Sequence, residues 1–247
     1  RRAALPATPS RGTFPGGDAS VTPADDYSDA MLARIPAFLL FAAVMLSLSY
    51  LPLLAREFHT PIAGLSQAVV IALPLSAEMF LFGIGTVVAG AVGSRMGWRV
   101  VLLTGLTGVI AGLCASGLAT GISTLIGARA IVGLGTGMAF IGLRLLINRE
   151  GGREARSEGF RHLYAGMSAG TIAGVVLGGT LAGYIGYQST FFLGVALIMA
   201  AVGFYALHLK TTPVMRPRAA MGSDQPTRPG DIIRFFTNRQ IWAFLLL

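Results

Sequence analysis

Apolar residues run along this chain in long uncharged stretches, broken by short arginine clusters that fall on every second loop. Ile35 to Ala55 carries no charged residue, Ile62 to Gly93 carries only Glu78, and Val100 to Ala128 carries none. Ala130 to Leu143 lies between Arg129 and Arg144, and Leu163 to Leu209 is uncharged unless His208 protonates. A bilayer core takes roughly 20 apolar residues of helix per crossing. The pattern therefore predicts six membrane-crossing helices and the beginning of a seventh.

Punctuation residues place the ends. Pro36 is expected to open the first crossing, where its missing N–H costs nothing, and Arg56-Glu57-Phe58-His59 to close it. The second is expected to run from a cap at Ser66 to about Gly93, kinked at Pro74. Val100 to Asn148 holds the third and fourth with a turn at Gly121-Ile122-Ser123, and Leu163 to Leu209 holds the fifth and sixth with a turn at Gly186-Tyr187-Gln188-Ser189. Lys210 to Gln240, with Pro213, Pro217, Pro226 and Pro229, is too polar and proline-rich to cross. The domains expected are a disordered tail over 1–33, a six-helix bundle over 34–210, a linker over 211–239 and the start of helix seven over 240–247. The chain opens on Arg1 and stops inside the apolar run Ile241–Leu247, so it reads as part of something longer.

Composition agrees with hydrocarbon as the solvent: 53% of residues are hydrophobic and 12% charged, against roughly 25% charged in soluble domains. The net charge of +8 would suggest nucleic acid in a soluble protein. Here it serves as a topology signal instead, because all but two of the Lys and Arg residues fall in the tail, the turn at Arg95 and Arg99, the cluster Arg144 to Arg161 and the loop after Lys210. These segments are expected on the cytoplasmic side, with the N-terminus inside, in a bacterial inner membrane. The lone Cys114 excludes an intrachain disulfide. Many of the 33 glycines lie inside the predicted helices, where small residues let membrane helices approach closely.

The turn Gly90-Ala91-Val92-Gly93-Ser94-Arg95-Met96-Gly97-Trp98-Arg99 resembles the signature GxLADRxGRR of the major facilitator superfamily. Ser94 stands where that family has an aspartate and Trp98 where it often has an arginine. Arg129-Ala130-Ile131-Val132-Gly133-Leu134-Gly135-Thr136-Gly137 is similar to the family's RxxQGxGxA pattern, with Val132 at its polar position. Gly170-Thr171-Ile172-Ala173-Gly174-Val175-Val176-Leu177-Gly178-Gly179 looks like the antiporters' GxxxGPxxGG, with Val175 replacing the proline. Tyr187 to Phe192 resembles the aromatic turn that opens the family's sixth helix. The resemblance implies an all-α membrane protein whose six helices form two inverted three-helix repeats, followed by the start of a seventh. It also implies a cytoplasmic gate at Gly90, Ser94, Arg95, Gly97 and Arg99, and close packing at Gly133, Gly137, Gly170, Gly174, Gly178 and Gly179.

Glu78 carries the functional argument, because an ionisable residue in hydrocarbon costs at least about 2.5 to 3.5 kcal/mol and must face the bundle or water. Arg129, expected about five residues into the fourth helix, either snorkels outward or reaches Glu78 across the cavity. The family's arginine at this position is implicated in proton handling. Tyr50, with Ser47 and Ser49, is a candidate for the cavity wall, although such serines often serve only their own backbone. Arg144 is expected to snorkel to the inner interface.

Two enzyme patterns fail in context. Gly166-Met167-Ser168-Ala169-Gly170 has the GxSxG form but lies on an apolar helix rather than on a strand-to-helix elbow, and Gly133-Leu134-Gly135 follows no strand. The expectation is a proton-coupled exporter of a small molecule with no cofactor, no metal and no enzymatic activity. Its partners are lipid, substrate, protons and the C-terminal half of the same protein, and nucleic acid is not among them. The alternative is a sensory module of facilitator-like fold coupled to a downstream signalling domain. Cysteines introduced as Arg95→Cys and Arg153→Cys should react with a membrane-impermeant maleimide from the same face of the membrane; labelling from opposite faces would reject the orientation.

Overall fold

A computed structural model describes residues 23–58, 66–148 and 153–208. Among these the chain is helical: α1 (Pro23–Met45), α2 (Leu51–Glu57), α3 (Gln67–Met96), α4 (Trp98–Gly117), α5 (Ile122–Ile147), α6 (Arg153–Ile185) and α7 (Tyr187–His208). Five of them, α3 to α7, are long and apolar enough to cross a membrane. The tail up to residue 22, the linker over 211–239 and the expected start of helix seven over 240–247 lie outside the described residues.

Glycine decides which helices meet. Along α6, Gly166, Gly170, Gly174 and Gly178 abut the carbonyl oxygens of Arg34, Phe38 and Ala42 on α1 and of Leu46 just past its end, in the same order, so the two helices run parallel in register. A Cβ at Gly174 would stand 2.6 Å from the Ala42 oxygen, and one at Gly178 would overlap the Leu46 oxygen. Along α5, Gly133 and Gly137 meet the carbonyls of Glu78 and Phe82 on α3, again in parallel. The contact of α4 with α5 is antiparallel: Gly105 lies against Ala139, Gly112 against Val132 and Gly142 against Leu102. In hydrocarbon, apolar side chains gain little by leaving lipid, so backbone proximity and dense packing supply the attraction. Accordingly α3 buries one stripe, Val70, Pro74, Glu78, Gly85 and Ala89, and turns Phe80 and Val87 outward.

Among the described residues two glycines adopt positive φ, Gly97 at 84° and Gly186 at 85°, and each alone joins one long helix to the next. Their hydrogen bonds match: Gly97 N–H donates to the Gly93 carbonyl at 3.1 Å and Gly186 N–H to that of Ala182 at 3.0 Å. Glycine reaches this backbone region without a Cβ clash.

Several expected boundaries are corrected. Pro36 lies inside α1, which opens at Pro23 instead, another proline at a helix start where no hydrogen bond is lost. The segment expected as the first crossing is not one continuous helix: α1 gives way at residues 46–50 to a turn before α2. Pro52 has no N–H to return to the Leu48 carbonyl, while Leu51 N–H still donates to the Ser47 oxygen at 2.8 Å and Leu54 N–H to that of Tyr50 at 3.0 Å. The helix of the expected second crossing continues through Ser94 and Arg95 to Met96, so the turn is Gly97 alone. Ile122 and Ser123 belong to α5, with Gly121 as its cap, and Tyr187 to Ser189 belong to α7. The fifth crossing begins at Arg153 rather than Leu163, since nothing in Arg153–His162 breaks a helix. Ser66 occupies the cap position of α3 but makes no side-chain cap bond.

Gly178→Val should cost at least the roughly 1–3 kcal/mol of an overpacked core, because its Cβ meets backbone rather than a movable side chain. Gly183, with nothing within 4 Å of the place a methyl group would occupy, should accept alanine with no loss. Thermal melting in detergent distinguishes the two.

Candidate functional site

The contact of Gly133 with the Glu78 backbone sets the site. With α3 and α5 parallel and touching there, Arg129 sits one turn N-terminal on the same face of α5, about 6 Å along the axis at 1.5 Å per residue. Helical side chains lean toward their own N-terminus, which carries the Glu78 carboxylate toward that level. Arg129 Nε donates to Glu78 Oε2 at 3.0 Å and Nη2 donates to the same oxygen at 2.5 Å. Arg129 is 1% and Glu78 2% exposed, so the inward alternative holds and no snorkelling occurs. Arg129 is the eighth residue of α5, deeper than expected, because the helix starts at Ile122.

Aromatic rings lie against the Arg129 side of the pair. The Arg129 guanidinium lies 5.9 Å from the centre of the Phe191 ring on α7, within range of a cation–π contact. Tyr50, the N-cap of α2, packs edge-on against Phe191 at 5.4 Å and stacks on Tyr187 at 5.3 Å. Tyr187 and Phe191 fall on one face of α7 because they are four residues apart. Positioning Tyr50 requires the break between α1 and α2. Among the described residues, Tyr50 Oη and Arg129 Nη1 are both buried without a hydrogen-bond partner. The aromatic turn is visible in the sequence, but the expected site did not include Phe191 and Tyr187; their spacing of four was the available signal.

The serines of α1 serve the backbone: Ser47 is buried and its Oγ donates to the Val44 carbonyl at 2.9 Å, while Ser49 is exposed. Of the residues expected to form a gate, Gly90, Ser94 and Arg95 are exposed on α3, and Ser94 Oγ donates to the Ala91 carbonyl at 2.9 Å. Arg99 lies 5.5 Å over the Trp98 ring with a buried Nε that has no partner among the described residues. Gly133, Gly137, Gly170, Gly174 and Gly178 all meet backbone of a neighbouring segment, whereas Gly179 is exposed and a Cβ there would have the Ser49 hydroxyl as its nearest neighbour at 3.4 Å. Arg144 is held between Phe140 at 5.7 Å and Phe160 at 5.8 Å.

These features define a multi-pass helical membrane protein with an ion pair buried between two glycine-packed helices. A profile of the Major Facilitator Superfamily matches residues 35–247, and the chain belongs to that family of transporters. No curated protein matches it.

A guanidinium keeps its charge at any accessible pH, whereas a carboxyl becomes neutral by taking up a proton. Removing one partner of a buried pair typically costs about 3–5 kcal/mol, and the loss should be unequal here. Glu78→Leu, which strands Arg129, should lower the melting temperature in detergent more than Arg129→Leu, and the double variant should recover much of the loss.

Proposed function

We propose that this chain is the N-terminal half of a proton-coupled transporter that exports a small molecule by alternating access. In this reading α1 and α2 together make one crossing. Residues 34–210 then hold six, in two inverted three-helix repeats, with the N-terminus and the basic turns in the cytoplasm of a bacterial cell and a C-terminal half completing the path.

The supporting observation is the Glu78–Arg129 pair, an ionisable couple 2% and 1% exposed inside a bundle made for hydrocarbon. A buried carboxyl whose partner cannot lose its charge senses each proton as a change of one full charge in the core. Protonation releases Arg129, and the contact between α3 and α5 loses its electrostatic tie. The repeat arrangement draws support from the matching glycine joints at Gly97 and Gly186 and from the two parallel pairs, α1 with α6 and α5 with α3. Each pair links the first helix of one triplet to the second helix of the other.

In proteoliposomes of the full-length protein, an imposed pH gradient should drive movement of amphipathic fluorescent dyes such as ethidium and carboxyfluorescein. Glu78→Gln should abolish the proton-driven flux while leaving membrane insertion intact. Unchanged pH-dependent flux in that variant would remove Glu78 from the mechanism.

A further inference from the structure

The proposed coupling leaves two buried polar atoms unused, and they share one neighbourhood. Arg129 Nη1 and Tyr50 Oη have no hydrogen-bond partner among the described residues. Both side chains rest on Phe191, the guanidinium 5.9 Å and the Tyr50 ring 5.4 Å from its centre, and Tyr50 lies within the field of the Arg129 charge. A buried donor left unsatisfied costs about 1–3 kcal/mol, more for a charged group. Two such donors on side chains that share one aromatic neighbour offer half of a binding site whose missing half is an acceptor.

Charge decides the kind of acceptor. While Glu78 is ionised the pair is neutral, and a further negative charge would be stranded in a dry core. Once Glu78 takes up a proton, Arg129 is left as an uncompensated buried cation with Nε, Nη2 and Nη1 all available to donate. We propose that protonation of Glu78 turns Arg129 and Tyr50 into a site for one small monovalent anion, a halide or a carboxylate, held by the guanidinium and the Tyr50 hydroxyl beneath Phe191 and Tyr187. Proton and anion then bind together, each favouring the other, and the core stays neutral in both states. The anion reaches the site only in a conformation more open than this one, since Arg129, Glu78 and Tyr50 are each at most 2% exposed.

The other titratable groups facing this region do not supply an alternative countercharge. On α3 and α5 the pair itself is the charged content of the buried core. The turn before α2 brings Tyr50, and α7 brings Tyr187 and, farther along, the buried Tyr205; Arg56 and Glu57 at the far end of α2 are exposed. α4 holds Cys114, half-buried, and Arg99 in its first turn, while α6 offers Tyr164 and Tyr184, both exposed, and keeps its charged residues and His162 within Arg153–His162.

The inference rests on Glu78 being the group that takes up the proton, and binding at equilibrium separates it from transport. Calorimetric titration of the full-length protein in detergent with sodium chloride, and separately with sodium acetate, between pH 5.5 and 7.5 is the test. Repeating each titration in two buffers of different ionisation enthalpy counts protons. Wild type should take up one proton per anion bound, and its affinity should rise up to about tenfold for each pH unit lowered while Glu78 is ionised in the anion-free protein. Glu78→Gln should bind with no proton uptake and no pH dependence, and Tyr50→Phe should weaken binding about tenfold. Binding of chloride alone identifies a halide site and of acetate alone a carboxylate site, either one sustaining the proposal. Failure of both anions to bind wild type, binding without proton uptake, or binding indifferent to Tyr50→Phe would overturn it. Loss of proton-driven flux in Glu78→Gln without anion binding would leave the transport reading standing and remove only the anion site.

Discussion

Contact between a glycine and the carbonyl of a neighbouring helix is the constraint on which this bundle depends. Apolar side chains gain little by leaving lipid for protein, so helices associate through close packing instead of expulsion of water. Where a glycine lies every four residues, as from Gly166 to Gly178, one helix can rest on the backbone of another over successive turns. This fixes register as well as distance, because each missing side chain receives a particular carbonyl of its partner. A glycine costs up to about 1 kcal/mol in helix propensity, and the cost is offset only at positions that meet backbone. Gly183 and Gly203, with nothing within 4 Å, gain no such compensation.

That same packing makes the charged site possible. Gly133 brings α5 against α3 closely enough that Arg129 reaches Glu78 without crossing lipid, and the pair is enclosed before either charge can be stranded. An arginine one turn earlier on the same helix would meet α3 one turn nearer its N-terminus instead. The aromatic roof depends on a second local feature, the interruption of α1 before Pro52, which carries Tyr50 to the ring of Phe191. Backbone proximity, a proline and the spacing of Tyr187 and Phe191 thus converge on one ion pair. The unused donors on Arg129 and Tyr50 are what this convergence leaves over, and they are the basis for linking an anion to the proton.

Much of this organisation is legible along the chain. Uncharged runs mark the spans because hydrocarbon tolerates so few charges, and Glu78 stands out for the same reason. The glycine spacing in α6 identifies a packing face before any partner is known. Ends of helices are harder to read. Pro36 looks like a start and Pro23 is one, since both satisfy the same local rule and only the position of the preceding helical turn separates them. The stretches at Arg153–His162 and Ser94–Met96 look like loops because they are polar, yet a polar helix emerging from the membrane keeps its hydrogen bonds and continues.

Residue order alone establishes that this is a helical membrane protein, where its spans lie and which residues are small enough or charged enough to matter. Those properties depend on the solvent around each segment, which composition reports directly. Three-dimensional packing is what turns Arg129 inward to Glu78, faces Gly179 away from the packed stripe to which its neighbour Gly178 belongs, and closes Tyr50, Tyr187 and Phe191 over the pair. Those outcomes depend on the rotation and register of one helix against another. Both are set by contacts between residues far apart in the chain, such as Gly133 with Glu78, which no local pattern records.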